Sequence, residues 1–143
     1  MILFASVLFA LFSAVEIIIF HYWGLRTITQ FSKRFSSHFM MSISVVVCLF
    51  LIHLIEIAWY SLMMYFAYEI WGVSGFQGDV NLSIDDYVHI AASSFTTLGS
   101  LTHTPHSELA VIIDSISLVG FMMLTWSATY YYNIFSNSEV RDN

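Results

Sequence analysis

Apolar side chains gather along this chain in three long runs. The first extends from Ile2 to Phe20 and is interrupted only by Ser6, Ser13 and Glu16. The second covers Met41 to Phe66 with His53 and Glu56 inside it, and the third covers Leu109 to Ile134 with Asp114 inside it. A helix needs about 20 mostly apolar residues to cross the hydrocarbon core of a bilayer, and each run is long enough to do so with tilt. None alternates with period two, which disfavours the strands of a membrane β-barrel. The single proline, Pro105, lies between runs. The first run has no basic leader and no clear small-residue cleavage site, so it reads as a span and not as a removed signal peptide.

The pattern between the second and third runs is different. Residues 67–108 exceed an ordinary helix–helix connection. The stretch 69–82 carries three glycines and no periodicity, as an exposed loop does. Ser83 followed three residues later by Asp86 resembles a capping box, and Asp85 and Asp86 suit the positive end of a helix dipole. Tyr87, Ile90, Ala91 and Phe95 then recur at helical spacing. The pattern predicts a helix over 83–95, too short to cross a bilayer, running into Thr96-Thr97-Leu98-Gly99. A short helix that stops at a threonine pair and returns as extended chain to a proline is the pattern of a re-entrant pore loop. Non-helical backbone at membrane depth is tolerated only where it is buried in protein or lines water. The carbonyls after Thr96 would then be free to face an ion, and the partially negative helix C-terminus favours a cation there.

Composition narrows the choice of class. Hydrophobic residues make up 58% of the 143 positions and charged residues 10%, against roughly 45–50% and 25% in soluble domains. So few charges cannot cover the surface of a small soluble domain, which excludes a soluble enzyme and a disordered chain. A net charge of −6 repels phosphates and excludes a nucleic-acid binder. The lone Cys48 forms no internal disulfide. No catalytic constellation is present and no cofactor is expected. Arg26, Lys33, Arg34 and Arg141 all fall on one side of the three spans, whereas Glu69, Asp79, Asp85 and Asp86 fall on the other. The positive-inside rule therefore puts the N-terminus outside and the C-terminus in the cytoplasm, for a multi-pass protein of the cell (inner) membrane.

Several polar residues are candidates for chemistry. His53 and Glu56 share one helix face at i, i+3, and ionisable groups inside a span usually face the protein interior. They fit either a mutually hydrogen-bonded pair anchoring the short helix, or a proton or gating sensor, or part of a metal site. A metal needs at least one more ligand, and there is no second His-x-x-Glu. Glu16 and Asp114 are candidates for the same network, or for bonds to Ser13 and Ser117. Haem needs two histidines at matching depth. Only His53 lies deep in a run, since His21 and His38 read as interfacial. Gly120, the one glycine of the third run, is either a hinge or a close-packing site. The hinge reading expects Gly120→Ala to leave packing intact.

The segment Thr96-Thr97-Leu98-Gly99-Ser100-Leu101-Thr102, followed by Pro105, resembles the filter of the tetrameric potassium-channel superfamily, Thr-Thr-Val-Gly-Tyr-Gly-Asp. Within it the chain is most similar to small bacterial three-span ion-channel proteins. These share a His-x-x-Glu in the outer helix (His53, Glu56) and an inner helix with an acid, a glycine and a Trp-Ser pair (Asp114, Gly120, Trp126, Ser127). About two-thirds of the chain is covered.

The resemblance implies an all-α membrane protein with three transmembrane helices and a re-entrant pore helix and filter. Residues 1–40 would form the first span and a basic connection. The pore module would be 41–135, with outer helix 41–66, outer loop 67–82, pore helix 83–95, filter 96–101 and inner helix 107–135, and 136–143 a cytoplasmic tail. Thr96, Thr97, Leu98, Gly99 and Ser100 would line the ion path, with a monovalent cation, potassium among those permeant, at Thr97. Asp85, Asp86 and His103 would border the outer vestibule, and His103, with His106 as its rival, would sense external acid. One loop cannot surround an ion, so a homotetramer in the lipid bilayer is expected. Ser100 replaces the tyrosine that braces the filter, and Leu101 replaces its second glycine. The expected activity is therefore weakly selective cation conduction. The alternative is a non-conducting, channel-like structural or regulatory subunit.

Overall fold

The computed structural model describes residues 2–35, 37–73, 75–77, 82–99 and 104–139. Among the described residues four α-helices follow one another: α1 (Ile2–Ser32), α2 (His38–Tyr65), α3 (Ile84–Phe95) and α4 (Ser107–Glu139). A single π-helical turn, Phe66–Ile70, extends α2. Three of these elements, Leu3–Ser32, His38–Ile70 and Ser107–Ser136, are long and apolar enough to cross a membrane. Their outward faces carry Phe4, Phe12, Phe39, Phe50 and Leu118, all more than 60% exposed. An apolar surface of that kind is stable only against lipid or another apolar partner. The chain is an all-helical, membrane-spanning protein.

The first helix departs from the sequence expectation. It does not end at Phe20 but continues to Ser32, so Arg26 lies on the helix and not in a connection. At 1.5 Å per residue its 31 residues span about 46 Å, well beyond the hydrocarbon core. Nothing in 21–31 breaks a helix. Gly24, the weakest helix former there, sits against the Ile52 side chain, where a Cβ would come within 2.6 Å of Cδ1. Its absence lets α1 approach α2 closely.

The core is formed where α3 packs between α2 and α4. Tyr60 and Met64 of α2, Tyr87, Ile90, Ala91 and Phe95 of α3, and Ile112, Ile116, Val119 and Met123 of α4 are all buried there, together with Ile17 of α1. The start of α3 is the capping box that Ser83 and Asp86 predict. Ser83 N–H donates to Asp86 Oδ2 at 2.8 Å, and Asp86 N–H donates to Ser83 Oγ at 3.4 Å. Tyr87, one turn on, is buried and donates its hydroxyl to Glu69 Oε1 at 2.8 Å. Burial, and then that carboxylate, push the Tyr87 phenol above its ordinary range.

The far end of α3 lies elsewhere along α2. The Phe95 ring is 5.7 Å from that of His53, in the middle of α2, and 6.3 Å from that of Tyr60. Thus α3 begins beside the C-terminal end of α2 and ends beside its middle, a travel of about 18 Å for 12 residues. The chain on either side of this excursion is pinned together. Gln77 N–H donates to the Thr104 carbonyl at 2.9 Å and His106 N–H to the Gly75 carbonyl at 2.7 Å, around the Phe76–Pro105 pair.

Candidate functional site

Two polar features meet at Phe95. The first is the end of α3. Thr97 N–H donates to the Ser94 carbonyl and Leu98 N–H to the Ser93 carbonyl, both at 2.9 Å, and Gly99 N–H reaches Ser93 at 3.4 Å. This is a Schellman cap, with Thr96 as C-cap and Thr97 in the left-handed position that usually belongs to glycine. Thr97 has φ 59°, the one positive value among the described non-glycine residues, and Gly99 has φ 66°. Side-chain bonding to backbone falls to Thr96, whose hydroxyl donates to the Ala92 carbonyl at 2.7 Å.

The cap dictates where the carbonyls go. The N–H of residue i+1 and the C=O of residue i belong to one planar trans peptide and point in opposite directions. Since the N–H groups of 97, 98 and 99 fold back on α3, the carbonyls of Thr96, Thr97 and Leu98 are directed away from it. No hydrogen bond among the described residues ends on them. Thr96, Thr97, Leu98 and Gly99 are all exposed in the single chain. The remaining filter positions of the sequence reading, Ser100 and Leu101, and the vestibule residue His103, lie outside the described residues, as do Asp79 and Arg141.

A threonine Cβ in left-handed backbone costs roughly 1–2 kcal/mol. Thr97→Gly is therefore expected to be more stable than Thr97→Ala by about 1 kcal/mol. Thermal unfolding of the two purified variants checks this, and equal unfolding temperatures would place Thr97 outside the left-handed region.

The second feature is a buried cluster reaching across three helices. Glu56 of α2 is fully buried and takes two hydrogen-bond partners, His21 Nδ1 of α1 on Oε1 and His53 Nδ1 on Oε2, each at 2.8 Å. His21 is also fully buried, and His53 is 13% exposed. Ser127 Oγ of α4 lies 3.3 Å from His21 Nε2, and the Trp126 ring is 5.4 Å from that of His21. The Trp-Ser pair of α4 thus packs on a histidine of α1. The His21 and His53 rings stack with centroids 5.5 Å apart and planes 24° apart. That leaves no room for a porphyrin between them.

This cluster corrects three sequence expectations. His21 is not interfacial in the fold; it is a core residue, because α1 continues past Phe20 and carries Ile17, His21, Leu25 and Ile28 on one buried face. Asp114 does not join His53 and Glu56. It is exposed on α4, opposite the buried face of Ile112, Ile113 and Ile116. Neither serine serves the acids, since Ser13 donates to the Ala10 carbonyl and Ser117 to the Ile113 carbonyl. Glu16 lines a cavity of about 320 Å³ that it shares with Glu56, and its Oε2 is buried without a partner.

Gly120 joins the two features. An alanine Cβ there would lie 2.7 Å from both the Cα and the carbonyl carbon of Phe95, and nearer still to its oxygen. Gly120 is where the backbone of α3 rests on α4. The expectation that an alanine leaves packing intact does not hold.

Compared with known proteins, the chain matches no family model, no curated protein and no solved structure.

Proposed function

We propose that this chain is one subunit of a fourfold, passive, weakly selective cation channel. The observation that carries the reading is the triplet of carbonyls at Thr96, Thr97 and Leu98, directed away from a helix end and free of partners among the described residues. Oriented carbonyls that replace a hydration shell are how a protein conducts a bare or partly hydrated cation. The path of α3 supports a re-entrant arrangement: it starts at one end of the bundle, ends at its middle, and the chain returns to pair at Phe76–Pro105. Non-helical backbone at that depth needs protein or water around it. Four copies placing residues 96–99 about an axis supply both. Potassium among the permeant ions, the cell membrane as location and a cytoplasmic C-terminus complete the reading.

Purified protein in liposomes loaded with potassium tests it. The expected result is a cation flux carried by tetramers and reduced by Thr97→Val, which removes the hydroxyl and keeps the shape. Correctly assembled tetramers without flux would replace this reading by the non-conducting, regulatory one.

The exposed Asp85, repeated fourfold, makes the outer rim negative and concentrates cations. Asp85→Asn is expected to lower inward conductance, more at low ionic strength than at high, because salt already screens the rim. Asp86 is unsuitable for this measurement because it caps α3. Conductance independent of Asp85 at low salt would remove the vestibule from the proposal.

A further inference from the structure

We infer that His21, His53 and Glu56 form a binding site for a divalent transition-metal cation of the zinc class, linking α1 to α2 directly behind Phe95. The inference stands whether or not the chain conducts.

Charge balance is the first argument. Glu56 is buried in an apolar bundle, and Glu16 Oε2 is buried without a partner in the cavity they share. Among the described residues neither carboxylate meets a lysine or arginine: Arg26 lies over Trp23 and Arg34 over Phe31. The two carboxylates, lined otherwise by Ile17, Phe20, Ile55 and Trp59, meet no permanent cation, only the imidazoles on Glu56, and buried charges are ordinarily paired or coordinate metals.

The donor set is the second. One ligand atom from each of His21, His53 and Glu56 falls within 4.8 Å of the others. Two imidazoles and a carboxylate with one open position form a recognised zinc set. The supporting shell is present as well. A metal on Nδ1 of His21 requires its proton on Nε2, and Ser127 Oγ lies 3.3 Å from that nitrogen to accept it. A fixed partner on the distal ring nitrogen is the usual companion of a metal-bound histidine. The cavity that Glu16 shares with Glu56 adjoins the site on the carboxylate side.

Cobalt(II) is the probe, since tetrahedral Co²⁺ in a nitrogen–oxygen site absorbs in the visible. Full-length protein in detergent, stripped with EDTA, is expected to take up one Co²⁺ per chain, develop these bands and lose them on addition of Zn²⁺. Replacing His38, His89, His103 and His106 together by alanine should leave the uptake unchanged. His21→Ala and Glu56→Gln should weaken it tenfold or more. If either fails to fold, His21→Cys keeps a ligand and should add a sulfur-to-cobalt charge-transfer band in the near ultraviolet. Stripped wild-type protein that takes up no Co²⁺ overturns the inference. So does uptake that survives His21→Ala in a folded protein, or uptake that disappears in the quadruple variant.

Discussion

Replacing Glu56 by alanine is expected to destabilise the folded chain by about 3 kcal/mol or more, even with metal removed by EDTA. The carboxylate accepts from two imidazoles in a site where His21 and Glu56 are fully buried. Its loss strands the buried His21 donor and the part-buried His53 donor, and an unsatisfied buried polar group costs about 1–3 kcal/mol. Glu56→Gln should cost roughly half as much. Its amide oxygen accepts from one histidine, while its NH₂ requires the other ring to present a lone pair, which a tautomer change provides. Denaturant unfolding in detergent, with and without EDTA, measures both. Equal losses for the two variants would mean that the charge and not the hydrogen bonding holds the cluster together. A loss confined to metal-loaded protein would mean that the hydrogen bonds alone contribute little.

Gly120→Ala is expected to be the most damaging single-methyl change in the chain. The added carbon meets backbone atoms of Phe95, which no rotamer change can move aside. Overpacking of this kind costs typically 1–3 kcal/mol, against a gain of about 1 kcal/mol from exchanging glycine for alanine inside a helix. Relief requires the last turn of α3 to lift off α4, and Thr96 and Thr97 follow Phe95 directly. Liposome flux should therefore fall at least tenfold while the three long helices still insert. Truncating the Phe95 ring to leucine should not rescue it, because the contact is with main chain. A variant with wild-type stability and flux would show that α3 does not rest on Gly120.

The three spans were legible because runs of apolar residues without period-two alternation have one structural outcome in lipid. The start of α3 was legible because Ser83 and Asp86 occupy the two ends of a reciprocal cap. The end of α1 was not. His21-Tyr22-Trp23 carries the polar and aromatic marks of an interface, and those marks hid a helical stripe, Ile17, His21, Leu25 and Ile28, that continues through it. Read as a stripe, it would have supplied the third member of the His53–Glu56 group. Asp114 misled in the opposite sense, since its depth in a run says nothing about which way that face of α4 turns. The positive φ of Thr97 was out of reach because β-branched residues seldom adopt it, and only the Ser93 and Ser94 carbonyls, awaiting donors, explain it.

The pairing of Gln77 with Thr104 and of His106 with Gly75 also bears on the order in which the protein is made. A 12-residue helix is marginal on its own, and the groove that buries α3 has one wall from α2 and one from α4. The second wall does not exist until the last span has been synthesised. Closing the intervening chain costs loop entropy that only the finished groove repays. The seat of α3 between α2 and α4 is therefore complete only once α4 is in place. Membrane insertion and maturation are then separate events. Chains damaged at Gly120 or Phe95 should accumulate in the membrane at normal levels, and protease should cut them within α3, which in the intact protein is packed against α2 and α4.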